Sequence, residues 1–189
     1  MVTLVTLIKM DEMIYDLGVY MTPSQLENLK IIIKTLFNND LTKFELTASS
    51  GLSIIIVNKY CDCVHQYYLS KDLYKKVLDN VNKLNQTINH GFVKFLSSDD
   101  KLQLITYEKV EPINGNAFDT TKLKNDVFKT LKTMKELGIS HGDLVLDNIG
   151  YSKIDNQYLI YDFETVKFDV KESNDLYTFL KSIKFHVGF

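Results

Sequence analysis

His141-Gly142-Asp143-Leu144-Val145-Leu146-Asp147-Asn148 stands after an amphipathic helical pattern and before a second acidic segment, Tyr161-Asp162-Phe163-Glu164. These two stretches decide how the rest of the chain is read. Each places carboxylates in a loop flanked by apolar residues, and Asn148 adds an amide oxygen. Oxygen ligands of this kind suit a hard cation such as magnesium. An aspartate in a loop is also able to accept or orient a hydroxyl proton. Phosphoryl transfer needs that combination: one aspartate at the acceptor hydroxyl, and a second aspartate with an asparagine to hold the ions that neutralise charge on the phosphate oxygens.

Outward from these segments, Leu123, Val127, Leu131 and Met134 recur at helical spacing up to Gly138, a residue suited to the C′ position. Tyr158 to Tyr161 reads as a strand. A last helix is expected from about Asn174 to Lys184, with Leu176, Leu180 and Ile183 on one face. Upstream, Thr22-Pro23-Ser24-Gln25 is a helix start with a capping box, and Leu26, Leu29, Ile33 and Leu36 follow at helical spacing. Lys43 to Ala48, Leu52 to Tyr60 and Cys63 to Leu69 read as three antiparallel strands. Asp72 to Leu84 reads as a helix through Leu73, Val77 or Leu78, Val81 and Leu84. Gly91 to Leu96 and Leu102 to Val110 read as a hairpin across Ser97-Ser98-Asp99-Asp100. Pro112 and Asn114-Gly115-Asn116 form a linker.

With this order of elements, His141-Gly142-Asp143-Leu144 followed by Asn148 resembles the catalytic loop of the protein-kinase-like superfamily, with Gly142 where ordinary kinases carry arginine. Tyr161-Asp162-Phe163-Glu164 is similar to the metal-binding Asp-Phe-Gly turn, with glutamate replacing glycine. The Gly and Glu forms are more similar to aminoglycoside, choline and lipopolysaccharide kinases and other atypical kinases. Ile88 to Phe95 looks like the segment after the regulatory helix, and Leu102 to Val110 like the strand before the hinge. The resemblance implies an α+β, reduced two-lobed fold: an antiparallel-sheet N-lobe over about residues 1–112 with an extra N-terminal helix, and a truncated, mainly helical C-lobe over 113–189. The hinge is expected near Val110 to Gly115. Asp143 then matches the catalytic base, His141 the residue that orders the loop, and Asn148 and Asp162 the ligands of magnesium or manganese, with ATP as phosphate donor. Asp175 is left with two readings, a buried acceptor of loop N–H bonds or a solvated helix-start residue.

Other parts of the pattern are reduced. Where a glycine-rich loop covers the phosphates, only Ser49-Ser50-Gly51 is present, so Gly51 is the candidate there. A strand lysine is expected to pair with a helix glutamate, yet no glutamate occurs between Glu45 and Glu108. The pair must then use Asp79, or failing that Asp72, with Lys59 or Lys71. Val145 replaces a catalytic-loop lysine. After Asp162 the chain runs only to Phe189, which points to a shortened activation segment and helical lobe. A phosphate on Thr165 would meet only Lys167 or Lys171, so activity is expected to be constitutive or partner-controlled.

The leading expectation is a minimal serine/threonine protein kinase. The alternatives are a pseudokinase that binds and regulates a protein partner, and a kinase of small-molecule hydroxyls. Composition narrows the partners. The 189 residues, 45% of them hydrophobic, support one compact kinase-like domain, and 22 basic against 24 acidic residues spread along the chain give no stripe for nucleic acid or a membrane surface. Every basic residue other than histidine is lysine, so the planar arginine fork is absent. That bias suggests an AT-rich genome, and a stripped-down kinase shape resembles what large DNA viruses carry. No stretch is long enough to span a membrane, and a cytoplasmic protein, in the host cytoplasm if viral, is expected. Cys61 and Cys63 are read as strand neighbours on one face with His65, packing rather than pairing or binding metal, as fits a reducing compartment.

Overall fold

The computed structural model describes residues 4–49, 51–113 and 118–187. Ser50 and the Asn114-Gly115-Asn116 linker, and with it the far end of the expected hinge, lie outside the described residues. The architecture is α+β, compatible with a reduced two-lobed kinase-like fold, and it divides into two units. The first holds residues 1–75 and 95–108, the second residues 76–94 and 109–189.

The first unit opens with helix α1 (Leu4–Tyr15) and helix α2 (Pro23–Phe37). The Thr22 side chain accepts from Gln25 N while Gln25 Oε1 accepts from Thr22 N, so the capping box is complete. Asn38 ends α2 in the left-handed region at φ 52°. A five-stranded antiparallel sheet follows, built from β1 (Phe44–Ser49), β2 (Ser53–Asn58), β3 (Cys63–Tyr68), β4 (Phe95–Asp99) and β5 (Leu104–Glu108) in the order β1-β2-β3-β5-β4. Its core joins Met10, Ile14, Leu29, Ile32, Ile33 and Phe37 from the helices to Phe44, Ile54, Ile56, Tyr67 and Leu104 from the strands. Leu29 and Ile33 are inside as expected and Leu26 packs against the core, with Ile32 and Phe37 buried beside them, while Leu36 is 37% exposed.

Two other readings of this unit are corrected. The fourth strand begins at Phe95, because Gly91 to Val93 bridge instead to a strand of the second unit's sheet: Val93 N donates to Ile160 O and Ile160 N to Gly91 O. Cys61 lies in the bend before β3 rather than in a strand, which brings the Cα atoms of Cys61 and Cys63 to 5.5 Å, and the two form a disulfide. His65 packs as expected. It is buried, its Nδ1 lies 3.0 Å from Thr106 Oγ1, and its ring meets Phe37 edge-on.

Helix α3 (Lys71–Thr87) carries the division between the units. The second unit continues with β6 (Glu111–Pro112), α4 (Thr120–Glu136), a short 3-10 turn (Leu146–Asn148), β7 (Ile149–Ser152), β8 (Gln157–Ile160) and α5 (Asp175–Val187). Strands β6, β7 and β8 form an antiparallel sheet in that order. α4 buries Leu123, Val127, Thr130 and Met134. α5 buries Ile183 as expected, together with Asp175 and Phe179, whereas Leu176 and Leu180, expected on the same face, are 49% and 41% exposed. Among the described residues no helix is long and apolar enough to cross a membrane.

Candidate active site

The loop after α4 is built from the backbone up. Gly138, at φ 65°, turns the chain out of the helix, and its carbonyl accepts from Val170 N at 2.8 Å. Ser140 and Lys167 then exchange both backbone bonds, at 2.9 and 2.8 Å. The next two amides both point at one carboxylate: His141 N donates to Asp175 Oδ2 at 2.7 Å and Gly142 N to Asp175 Oδ1 at 2.9 Å. Asp175 is 3% exposed, which settles its role as the buried acceptor. A carboxylate taking two N–H bonds replaces water for both amides and fixes the loop against α5.

Gly142 has a conformational reason to be glycine. Its φ is 86°, and a Cβ there would lie 2.7 Å from Thr165 O. A side chain at this position, arginine included, would be strained and would require Thr165 O to shift. Thr165 Oγ1 completes the anchor by donating to His141 O at 2.7 Å.

The second acidic segment is tied to the first at two points. His141 is fully buried, and its Nε2 donates to Tyr161 O at 3.0 Å. Tyr161 N in turn donates to Asn148 O at 2.9 Å. Burial pushes the His141 pKa below its ordinary value, against the pull of Tyr161 O and of the nearby carboxylates, so a neutral ring links the two segments. Asn148 Nδ2 donates to Asp143 O at 2.8 Å, which leaves Oδ1 as the amide's acceptor atom. Asp143 is exposed. Asp162 stands at φ 66°, a strained position for a non-glycine residue.

The charges around Asp162 are unbalanced. Burial raises its carboxyl pKa, and the charge of Asp143 adds to the rise, partly offset by the Glu164 N–H bond and by His141. Among the described residues neither aspartate is in a salt bridge, and no group of three or more His, Cys, Asp or Glu side chains forms a closed metal cage. Two carboxylates with an amide oxygen beside them fit an open magnesium site, in which water and phosphate supply the remaining ligands.

His141, Asp143, Asn148 and Asp162 therefore come together. The other predicted residues stand elsewhere. Gly51, at φ 70°, makes the turn between β1 and β2. Lys59 follows β2 and pairs with Glu45 at 3.3 Å on the surface. Lys71 is the exposed first residue of α3. Asp79 is on α3 and pairs with Lys83 at 2.8 Å. Strand β3, which lies between Lys59 and Lys71, contains no lysine and carries Gln66, whose Nε2 donates to Ser53 Oγ. Sequence reasoning passed over Lys76, whose charge acts on Glu164.

No protein-family model matches the sequence. The probable serine/threonine-protein kinase fnkB of Dictyostelium discoideum is 32% identical to the chain over 83 residues, a match that covers 37% of this chain. The chain spans 16% of that relative's length. This partial likeness supports a protein-kinase-like relationship and is consistent with a kinase-like phosphotransferase.

Proposed function

We propose that the chain is an ATP-dependent phosphotransferase whose leading acceptors are serine and threonine hydroxyls of a protein. The observation that carries this reading is the Asn148 bond to Asp143 in a loop locked by Asp175, with Asp162 next to Tyr161, whose N–H bonds Asn148 O, and within reach of the Asp143 charge. In this scheme Asp143 takes the acceptor hydroxyl proton as that oxygen attacks the terminal phosphorus of ATP, the bond from that phosphorus to its bridging oxygen breaks, and ADP leaves. Asn148 Oδ1 and Asp162 hold magnesium or manganese, which supplies charge neutralisation at the phosphate oxygens. His141 keeps the loop and the acidic turn in register. Small-molecule hydroxyls are the alternative acceptors, on the strength of Gly142 and Glu164.

A second reading, a pseudokinase that regulates a protein partner, has its own support. Lys59 and Asp79 are each engaged in surface pairs with other residues, and β3 contains no lysine. Purified protein incubated with labelled ATP, magnesium, a general protein acceptor and small alcohols separates the readings. Transfer to the protein acceptor that falls at least a hundredfold in Asp143→Asn is the expected result. Undiminished transfer in that variant would remove Asp143 from its role. A protein neither labelling an acceptor nor stabilised by Mg-ATP would leave the binding module.

A further inference from the structure

Glu164 belongs to the acidic turn itself. Its Oε1 is buried and has no hydrogen-bond partner among the described residues. A buried carboxylate oxygen without a donor is costly, which favours a cationic donor beside it. One face of α3 is turned to this segment. Asn80 Nδ2 donates to Phe163 O at 2.9 Å, and Lys83 Nζ lies 5.4 Å from the centre of the Phe168 ring. Residues 76, 80 and 83 form one row at helical spacing, so Lys76 extends that row by a turn. Lys76 is exposed at its position, which leaves its long stem free to swing. Burial and then the charge of Asp162 raise the Glu164 pKa, and the charge of Lys76 works against that rise.

We propose that Lys76 of α3 and Glu164 of the acidic turn form the charge pair that positions Asp162, a helix lysine to a turn glutamate in place of a strand lysine to a helix glutamate. The inference rests on the phosphotransferase reading. It accounts together for the missing strand lysine, the absence of helix glutamate and the glutamate after Phe163. Lysine suits the position because its compact ammonium has three donors, enough for Glu164 and a phosphate oxygen at once.

The test compares Lys76→Met, Glu164→Gln, the double variant and the charge swap Lys76→Glu with Glu164→Lys. Lys75→Met, on a different side of the helix, is the control. Two quantities are measured: the Mg-ATP dissociation constant with the KM and kcat of transfer, and amide hydrogen exchange of residues 162–165 without nucleotide. Each single variant is expected to weaken Mg-ATP binding and speed exchange about tenfold, with the double variant no worse than either and the swap partly restored. Additive single effects, or exchange unchanged by Lys76→Met, would overturn the pair. If the unaltered protein takes no nucleotide, the phosphotransferase reading falls, and the exchange comparison still decides the pair.

Discussion

Single residues carry the loop geometry, and two of them give sharp predictions. Gly142 has both a positive φ and backbone in the space of its missing Cβ. Gly142→Ala should cost about 1–3 kcal/mol of stability, because both the strained conformation and the contact with Thr165 O must be relieved. Urea unfolding measures it, and a loss under about 0.5 kcal/mol would show that the loop moves easily. Asp175→Asn keeps the shape but puts an amide donor opposite one of two backbone donors. A cost of about 1–3 kcal/mol is expected, the price of a buried unpaired N–H. Asp175→Glu fails differently, since the longer stem displaces the carboxylate while retaining its charge. Only the shape-preserving variant therefore isolates the hydrogen bonds.

At the scale of elements, α2 is held by its cap and by its inward face. Thr22→Ala removes the acceptor for Gln25 N and should cost about 0.5–2 kcal/mol. Ile33→Ala, at a position with no exposure, should cost about 2–5 kcal/mol. Leu36→Ala, at 37% exposure, should cost much less. Comparing the last two variants by thermal unfolding checks which face of the helix is inside. Equal losses would place the face where hydrophobic spacing alone put it. The burial of Ile32 beside Ile33 has a local origin: the Ile31-Ile32-Ile33 run offers the helix several apolar faces, and the sheet selects among them through Ile54, Ile56 and Tyr67.

For the whole molecule, stability should depend on pH through histidines buried without charge. Burial lowers the His65 pKa below 6.5, and burial is its one cause. The unfolded chain then binds a proton that the folded chain resists. The associated stability is fully present above the unfolded pKa and is lost as pH falls below about 6.5 through the lowered folded value. His141 acts in the same direction. The raised pKa of Asp162 and of Glu164, due first to burial in each case, works oppositely, favouring the folded state at low pH. Urea unfolding at about pH 7.5 and about pH 5.5 should show a smaller acid loss in His65→Gln than in the unaltered protein. The same acid loss in both would exclude His65 as a source.

Much of this architecture was legible in the sequence because it is written in local signals. The capping box at Thr22, the period-two strands from Phe44 to Tyr68 and the two acidic segments around Asp143 and Asp162 are each set by residues a few positions apart. What the sequence left open depended on residues distant along the chain. Asp175 had two equal readings until its carboxylate met the amides of His141 and Gly142, 34 and 33 positions away. On α5 the expected Ile183 is inside, but Leu176 and Leu180 are outside because Asp175 is turned inward by those bonds and brings Phe179 with it. Hydrophobic spacing cannot register such a choice, since it counts apolar side chains and is blind to a buried carboxylate whose partners come from another loop. Gly91 was read into a strand for the same reason: its bond to Ile160 joins segments that no local pattern connects. Local chemistry thus determined which elements form, and long-range hydrogen bonding decided which faces they turn inward.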